Sequence, residues 1–269
     1  MAKDTKEFTR ELATARAAAA EAAALLRGRA GAADVREKGV RDLVTAVDEA
    51  AERAILARIT RDFPEDGLVA EESAGAAMVT EGRRWIIDPL DGTVNYVHGH
   101  PFSCVSIAFV DEDGPAAAVV HAPFLGEVYH AARGGGAFLN GSAIHVTATR
   151  DPARALLATG FPFKAGKGEP ENYMQLVTEA LLATHGVRRA GSAALDLAYV
   201  ASGRVDGFFE LGLKPWDVAA GLLLVTEAGG RVGGWAGGGP PLTTGNVLAT
   251  NGGIHAWLEA LTARYVDRL

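Results

Sequence analysis

The sequence predicts a mixed fold, with a first half of α+β type and a second half of α/β type. Three observations carry this reading. Two helical patterns and then a run of turn-separated strands occupy the chain up to about residue 147, and strands alternate with helices after it. The third is bulk: 269 residues, 48% of them apolar, can bury a large core as one thick domain or two fused halves. The expected division is 1–147 and 148–269.

In order along the chain, Phe8, Leu12, Ala15, Ala19, Ala22 and Leu26 recur at helical spacing with charges between them, and the pattern stops at RGRAGAAD. This is an amphipathic covering helix. A second helix follows DLVTAVD, with Val47, Ala51, Ile55, Ile59 and Phe63 on one face and Pro64 at its end. GLVA and RRWII read as buried strands whose downstream ends carry acids, Glu71 and Glu72 after the first and Asp88 after the second. From 103 to about 139, strand patterns separated by DEDG, PFLGE and RGGG turns indicate an antiparallel meander. The second half then alternates: ALLATGF, the helix ENYMQLVTEALLATHG, VRRAG, the helix SAALDLAYVASG, VDGFFE, the helix WDVAAGLLLVTEAGG, and a closing strand and helix. GGWAGGGPP is expected to be a surface turn.

Charge and cysteine content exclude several classes. A net charge of -7 argues against broad nucleic-acid binding, because phosphate backbones select for lysine and arginine. An acidic protein that handles phosphates needs metal cations. The single cysteine, Cys104, lies in the apolar run FSCVSIAF, so no intrachain disulfide can form, and the thiol reads as a buried structural group. The first residues carry both charge signs where a signal peptide needs an apolar stretch, and no run of about 18 apolar residues occurs. A cytoplasmic location away from membranes is expected.

The chemistry concentrates in acids. In WIIDPLDGTVNY, Asp88 is expected where an apolar strand stops, with Pro89 ending the ladder and Asp91 three residues later, so that both carboxylates face one point. Gly92 and Thr93 follow, with amides placed to hold a phosphate at a helical turn. DPLDG also reads as a surface turn, since Asp, Pro and Gly are common turn residues. Asp217 lies in the first turn of the helix in KPWDVAAGLLLVTEAGG, where an acid also stabilises the helix dipole. The acids of VAEES gain interest only in company with these. Magnesium supplies a reason for company: it takes hard oxygen ligands in octahedral geometry and shares carboxylates with substrate phosphate. His98, His100, His121 and His130 fit no zinc spacing, and a Walker A loop and a dinucleotide fingerprint are both missing.

On DLVTAVD, AEES, WIIDPLDGTVNYVHG, LLATGFPFK, GSAALDLAYVASGRVDGFFELG and PWDVAAGLLLVTEAGG, in that order, the chain resembles the inositol monophosphatase family over nearly its whole length. At about one chance in twenty per position, a block such as DPLDGT arises by accident on the order of 10⁻⁸ per start.

The resemblance implies a five-layer αβαβα sandwich of the inositol monophosphatase and fructose-1,6-bisphosphatase type. It also implies that Glu71, Asp88 and the Leu90 carbonyl bind one magnesium, that Asp88, Asp91 and Asp217 bind a second, and that a weaker third ion uses Glu71. It pairs Thr93 with Asp48 to orient the attacking water, and places Lys38 near the metal-bound waters. Asp91, Gly92, Thr93, Gly191, Ser192, Ala193 and Glu210 are implied to meet the substrate. The implied activity is magnesium-dependent hydrolysis of inositol 1-phosphate by a lithium-sensitive homodimer. Histidinol phosphate, fructose 1,6-bisphosphate or a 3′-phosphonucleotide would keep the chemistry and change the substrate. A regulatory binding protein that keeps the pocket but works through partners is the rival of another class.

Overall fold

In the computed structural model, residues 7–28, 35–39, 42–73, 81–161 and 170–268 are described, with backbone alone at 37–39 and 42–44. Helix α1 (Thr9–Gly28) buries a stripe of small residues, Ala15, Ala18, Ala19, Ala22 and Ala23, closed by Leu26. Alanines let its backbone lie close on the sheet beneath. The ribbon β1 (Val35–Gly39) and β2 (Asp42–Thr45) follows, an antiparallel pair of which the apolar pattern gives no sign. Thr45 then caps α2 (Ala46–Asp62): its hydroxyl accepts from the amides of Val47 and Asp48, and the Asp48 carboxylate reaches back to the Thr45 amide at 2.5 Å.

The strands β3 (Gly67–Ala70) and β4 (Arg84–Asp91) pair in parallel, and the single-turn helix α3 (Thr93–Val97) leads into the meander. That meander is β5 (Cys104–Asp111), β6 (Gly114–Ala122), β7 (Glu127–Ala132), β8 (Gly136–Leu139) and β9 (Ser142–Ile144), antiparallel throughout. Together β3 to β9 form a seven-stranded sheet in sequence order.

The second half runs β10 (Leu156–Thr159), α4 (Pro170–Ala183), β11 (Gly186–Arg188), α5 (Ala193–Ala201), β12 (Gly207–Glu210), α6 (Pro215–Glu227), β13 (Arg231–Gly233), α7 (Pro241–Thr244), β14 (Val247–Thr250) and α8 (His255–Ala263). Its five strands are ordered β11-β10-β12-β14-β13, parallel across β11, β10 and β12 and antiparallel at β14.

The layers are α1 and α2, the seven-stranded sheet, α5 and α6, the five-stranded sheet, and α4 with α8. This is the αβαβα order. The central helices are apolar all round, as a helix packed between two sheets must be: Val218 to Val225 of α6 are buried without a break.

The strand carrying Asp88 departs from expectation. It does not stop at Asp88 but continues through Pro89 and Leu90 to Asp91. Asp88 pairs with Ser106 and Asp91 with Cys104, so three steps on β4 span two on β5. This one-residue bulge gives Pro89, which has no amide hydrogen, a place inside a strand. It also sets direction. Residues three apart on a regular strand face opposite sides, but Ser106 and Cys104 are two apart and share a face, so Asp88 and Asp91 share it too. That face looks onto α5 and α6, as the burial of Cys104 among their residues shows.

A second departure is GGWAGGGPP, which is more than a surface turn. Trp235 is buried with Tyr173 and Phe209, and its indole nitrogen donates to the Val247 carbonyl at 2.9 Å.

The central layer is tightly packed at Gly221, where an added Cβ would stand 2.5 Å from Leu197 Cβ of α5. Gly221→Val is therefore expected to lower stability by about 2–3 kcal/mol through overpacking. A urea unfolding midpoint equal to that of the parent chain would show that α5 and α6 are not this close.

Candidate metal and phosphate site

The bulge in β4 brings its own hydrogen bonds to the site. The Leu90 amide donates to Asp88 Oδ1 at 2.9 Å, closing a turn of the kind aspartate makes with the residue two ahead. The Thr93 hydroxyl donates to the Leu90 carbonyl at 3.1 Å, leaving that oxygen a second lone pair. Between them Gly92 has φ 91, and a Cβ there would meet the Phe102 carbonyl at 3.0 Å. Only glycine fits both the left-handed backbone and the contact.

Two helix starts from the second half close on these acids. Asp91 Oδ2 accepts from the Ser192 hydroxyl at 2.6 Å and from the Ala194 amide at 2.8 Å, so the positive end of α5 points at a carboxylate of the first half. Asp217 sits in the first turn of α6, where one of its oxygens accepts from the Lys214 amide at 2.6 Å. Ser106 of β5 donates to the Trp216 carbonyl at 3.3 Å and fixes that helix start against the sheet. As a result, one oxygen each of Asp88, Asp91 and Asp217 lies within 4.8 Å of the other two.

These groups line a cavity of about 290 Å³, at the small end of the range for small-molecule sites. Glu71, Leu90, Gly92, Thr93, Gly191, Ser192, Ala193 and Glu210 line it as well. Asp48 is not among the residues lining the cavity; it is buried at the start of α2 beside β2, against which α3, the helix that begins with Thr93, also packs. Lys38 falls on β1, and its side chain is outside the described residues.

The cavity holds further groups that a pattern reading passes over: Asn95, Gly160, Phe161, Arg189 and Asp196. Asn95 lies inside WIIDPLDGTVNYVHG, and its side-chain amide donates to the carbonyls of Phe102 (2.7 Å) and Ala190 (2.9 Å), strapping the two halves together. Asp196 is an acid in the first turn of an apolar helix, the same signal that singles out Asp217.

The electrostatics are one-sided. Of the described residues lining the cavity, Glu71, Asp88, Asp91, Asp196, Glu210 and Asp217 are acids and Arg189 alone is a cation. Burial, and after it the charges of Glu71, Asp91 and Asp217, push the Asp88 carboxyl well above the ordinary carboxylate range. Burial likewise raises Asp196, with Glu210 and Asp91 adding to it. A group of hard oxygen donors at these separations, with one member almost completely buried, fits a small divalent cation. Cys104 lies behind this wall, its Sγ 3.6 Å from Ser192 Oγ, and burial raises its thiol pKa so that it stays protonated and inert.

The raised Asp88 pKa sets a pH dependence for protein stripped of divalent ions. A carboxyl whose pKa is higher in the folded state contributes stability that is intact at acid pH and is lost as pH climbs out of the ordinary carboxylate range. Asp88→Asn removes that loss. Thermal midpoints in chelator are expected to fall less between pH 4 and pH 7 for the variant, which ends a few degrees above the parent at pH 7. Parallel curves would show that Asp88 carries no such strain.

Comparison with known proteins agrees with this geometry. Residues 8–268 match the model of the inositol monophosphatase family. An inositol-1-monophosphatase of Synechocystis sp. is 46% identical over 231 residues, 85% of this chain and 80% of that one. The Nus factor SuhB of Escherichia coli is 44% identical over 238 residues, 88% of each chain. The solved inositol monophosphatase of Anabaena superposes with a TM-score of 0.86 at 39% identity, covering 97% of this chain and 99% of that one. With its acids gathered on a strand bulge and two helix starts, and with both the family model and these relatives spanning most of its length, the chain belongs to the inositol monophosphatase family and is a phosphatase.

Proposed function

We propose that the protein is a magnesium-dependent phosphomonoesterase that hydrolyses inositol 1-phosphate and other myo-inositol monophosphates to inositol and phosphate by direct attack of water. The observation that carries this reading is the convergence of Asp88, Asp91 and Asp217 within 4.8 Å beside the amides of Gly92 and Thr93. The inositol-1-monophosphatase relative supports the choice of substrate.

Glu71, Asp88, the Leu90 carbonyl, Asp91 and Asp217 would hold two or three magnesium ions. When bound, magnesium supplies Lewis acidity, lowering the pKa of a water and offsetting charge on the phosphoryl group. The chain's own residues do the positioning. The Gly92 and Thr93 amides donate to phosphate oxygens at the start of α3, and Asp48 with Thr93 orients the water. Lys38 would stand near it. Gly191, Ser192, Ala193 and Glu210 form the wall that receives the hydroxyls of the leaving group, where a carboxylate is a good acceptor. Direct attack by water requires no covalent phosphoenzyme, and the Cys104 thiol, buried and with its pKa raised, is not placed to form one. A lithium-sensitive, cytoplasmic homodimer completes the proposal, and a charge of -7 weighs against direct nucleic-acid contact.

The test is phosphate release from inositol 1-phosphate, histidinol phosphate, fructose 1,6-bisphosphate and a 3′-phosphonucleotide, with and without magnesium. Inositol 1-phosphate is expected to have the highest kcat/KM, with chelation abolishing turnover. A higher value for another member of the panel would reassign the substrate. In the same assay Asp88→Asn is expected to lower kcat by about a hundredfold or more with the fold intact, because Asp88 would hold the cations that offset charge on the phosphoryl group. Near-normal turnover would remove Asp88 from the site.

A further inference from the structure

The parallel strands β10 and β12 end side by side at the cavity. Thr159 pairs with Phe209, so the residues that follow, Gly160 and Glu210, emerge as neighbours at the carboxyl ends of the two strands. Glu210 lies so close over Gly160 that a Cβ built there would stand 2.0 Å from Glu210 Oε2 and 2.2 Å from both Cδ and Oε1. The whole carboxylate therefore occupies the place of a side chain at 160. Backbone conformation does not ask for glycine at this position, since Gly160 is not among the residues with positive φ. What excludes a side chain is the Glu210 carboxylate itself.

We infer that Gly160 is a specificity-determining residue, whose missing side chain forms the seat that holds the Glu210 carboxylate on the wall facing the substrate's hydroxyls. This rests on the phosphatase reading above and deepens it. The same cavity is lined by the buried Asp196 and by Arg189, whose guanidinium is 5.4 Å from the centre of the Phe161 ring. The substrate class this favours is a monophosphate whose leaving group offers hydroxyl donors, because carboxylate oxygens accept such bonds and repel a second anion.

A methyl group at 160 would push the carboxylate off its seat by more than 1 Å, and displacements of that size in a binding site cost about tenfold to a hundredfold in catalytic efficiency. The fold should survive, since the obstacle is the far end of a flexible side chain. The experiment is a double-mutant cycle of Gly160→Ala and Glu210→Ala, read as kcat/KM for inositol 1-phosphate divided by kcat/KM for p-nitrophenyl phosphate, whose leaving group has no polyol hydroxyls.

In Gly160→Ala this ratio is expected to fall about tenfold or more, mainly through KM for inositol 1-phosphate. Glu210→Ala is expected to fall comparably, and the double variant no further than Glu210→Ala alone, because the clash has gone with the carboxylate. An unchanged ratio in Gly160→Ala overturns the inference, and so does a double variant that falls by the product of the two single effects. A double variant that melts well below Glu210→Ala also overturns it, since Gly160 would then serve the backbone. A parent chain that releases phosphate from neither compound overturns the inositol 1-phosphate reading itself, and this inference with it.

Discussion

Carboxylates repel one another, and in a cavity with little water the repulsion is strong; the arrangement around Asp88 has to be forced by the rest of the molecule. Each acid is held by a bond that does not depend on a cation. Asp88 takes the Leu90 amide, Asp91 takes Ser192 and Ala194, and Asp217 takes the Lys214 amide. All three therefore keep one oxygen on backbone or side-chain donors while turning toward a common point. Preorganisation of this kind lets a site hold charge at the right place before any ligand arrives.

The five layers explain where those donors come from. Helices α5 and α6 lie between two sheets, so their bodies must be apolar on every side, yet their first turns emerge at the cavity and carry Ser192, Asp196 and Asp217. A helix start leaves amides without internal partners, and here the Ala194 amide goes to Asp91, an acid of the other half. The Asn95 bridge to Phe102 and Ala190 works in the same direction. Packing of the central layer and assembly of the site are thus the same event. The conditions that seat α5 against the first sheet also place Asp91.

Much of this was legible in the residues, and the parts that were not have a common cause. Helical spacing of Phe8 to Leu26, the strand GLVA and the meander are local patterns, and a local pattern survives in the finished fold. The acids could be read as a set only because DPLDGT and PWD are specific strings. The bulge at Pro89 was not legible, since period and composition both suggest that a strand ends there; its register is set by β5, a partner elsewhere in the chain. Trp235 sits among glycines that mark a turn, and only the contact with Tyr173 and Phe209 draws it inward. Gly160 was equally hidden, whereas Asp196 carried the same first-turn signal as Asp217. Nothing adjacent to Gly160 in sequence asks for a glycine, because the group that excludes a side chain there is Glu210.

The two halves supply different kinds of recognition to one cavity. The first half gives acids on a bulged strand and the amides of a single helical turn, a combination suited to cations and the phosphoryl group they neutralise. The second half gives the ends of two parallel strands, where Gly160 and Glu210 lie side by side in the cavity wall. Asp217 and the start of α5 cross this division at the acid cluster. Under the proposed reading, changes at the strand ends would alter which alcohol is accepted while the acids of β4 stay where they are. A change in the bulge has no such latitude, because Asp88 and Asp91 share a face only through it.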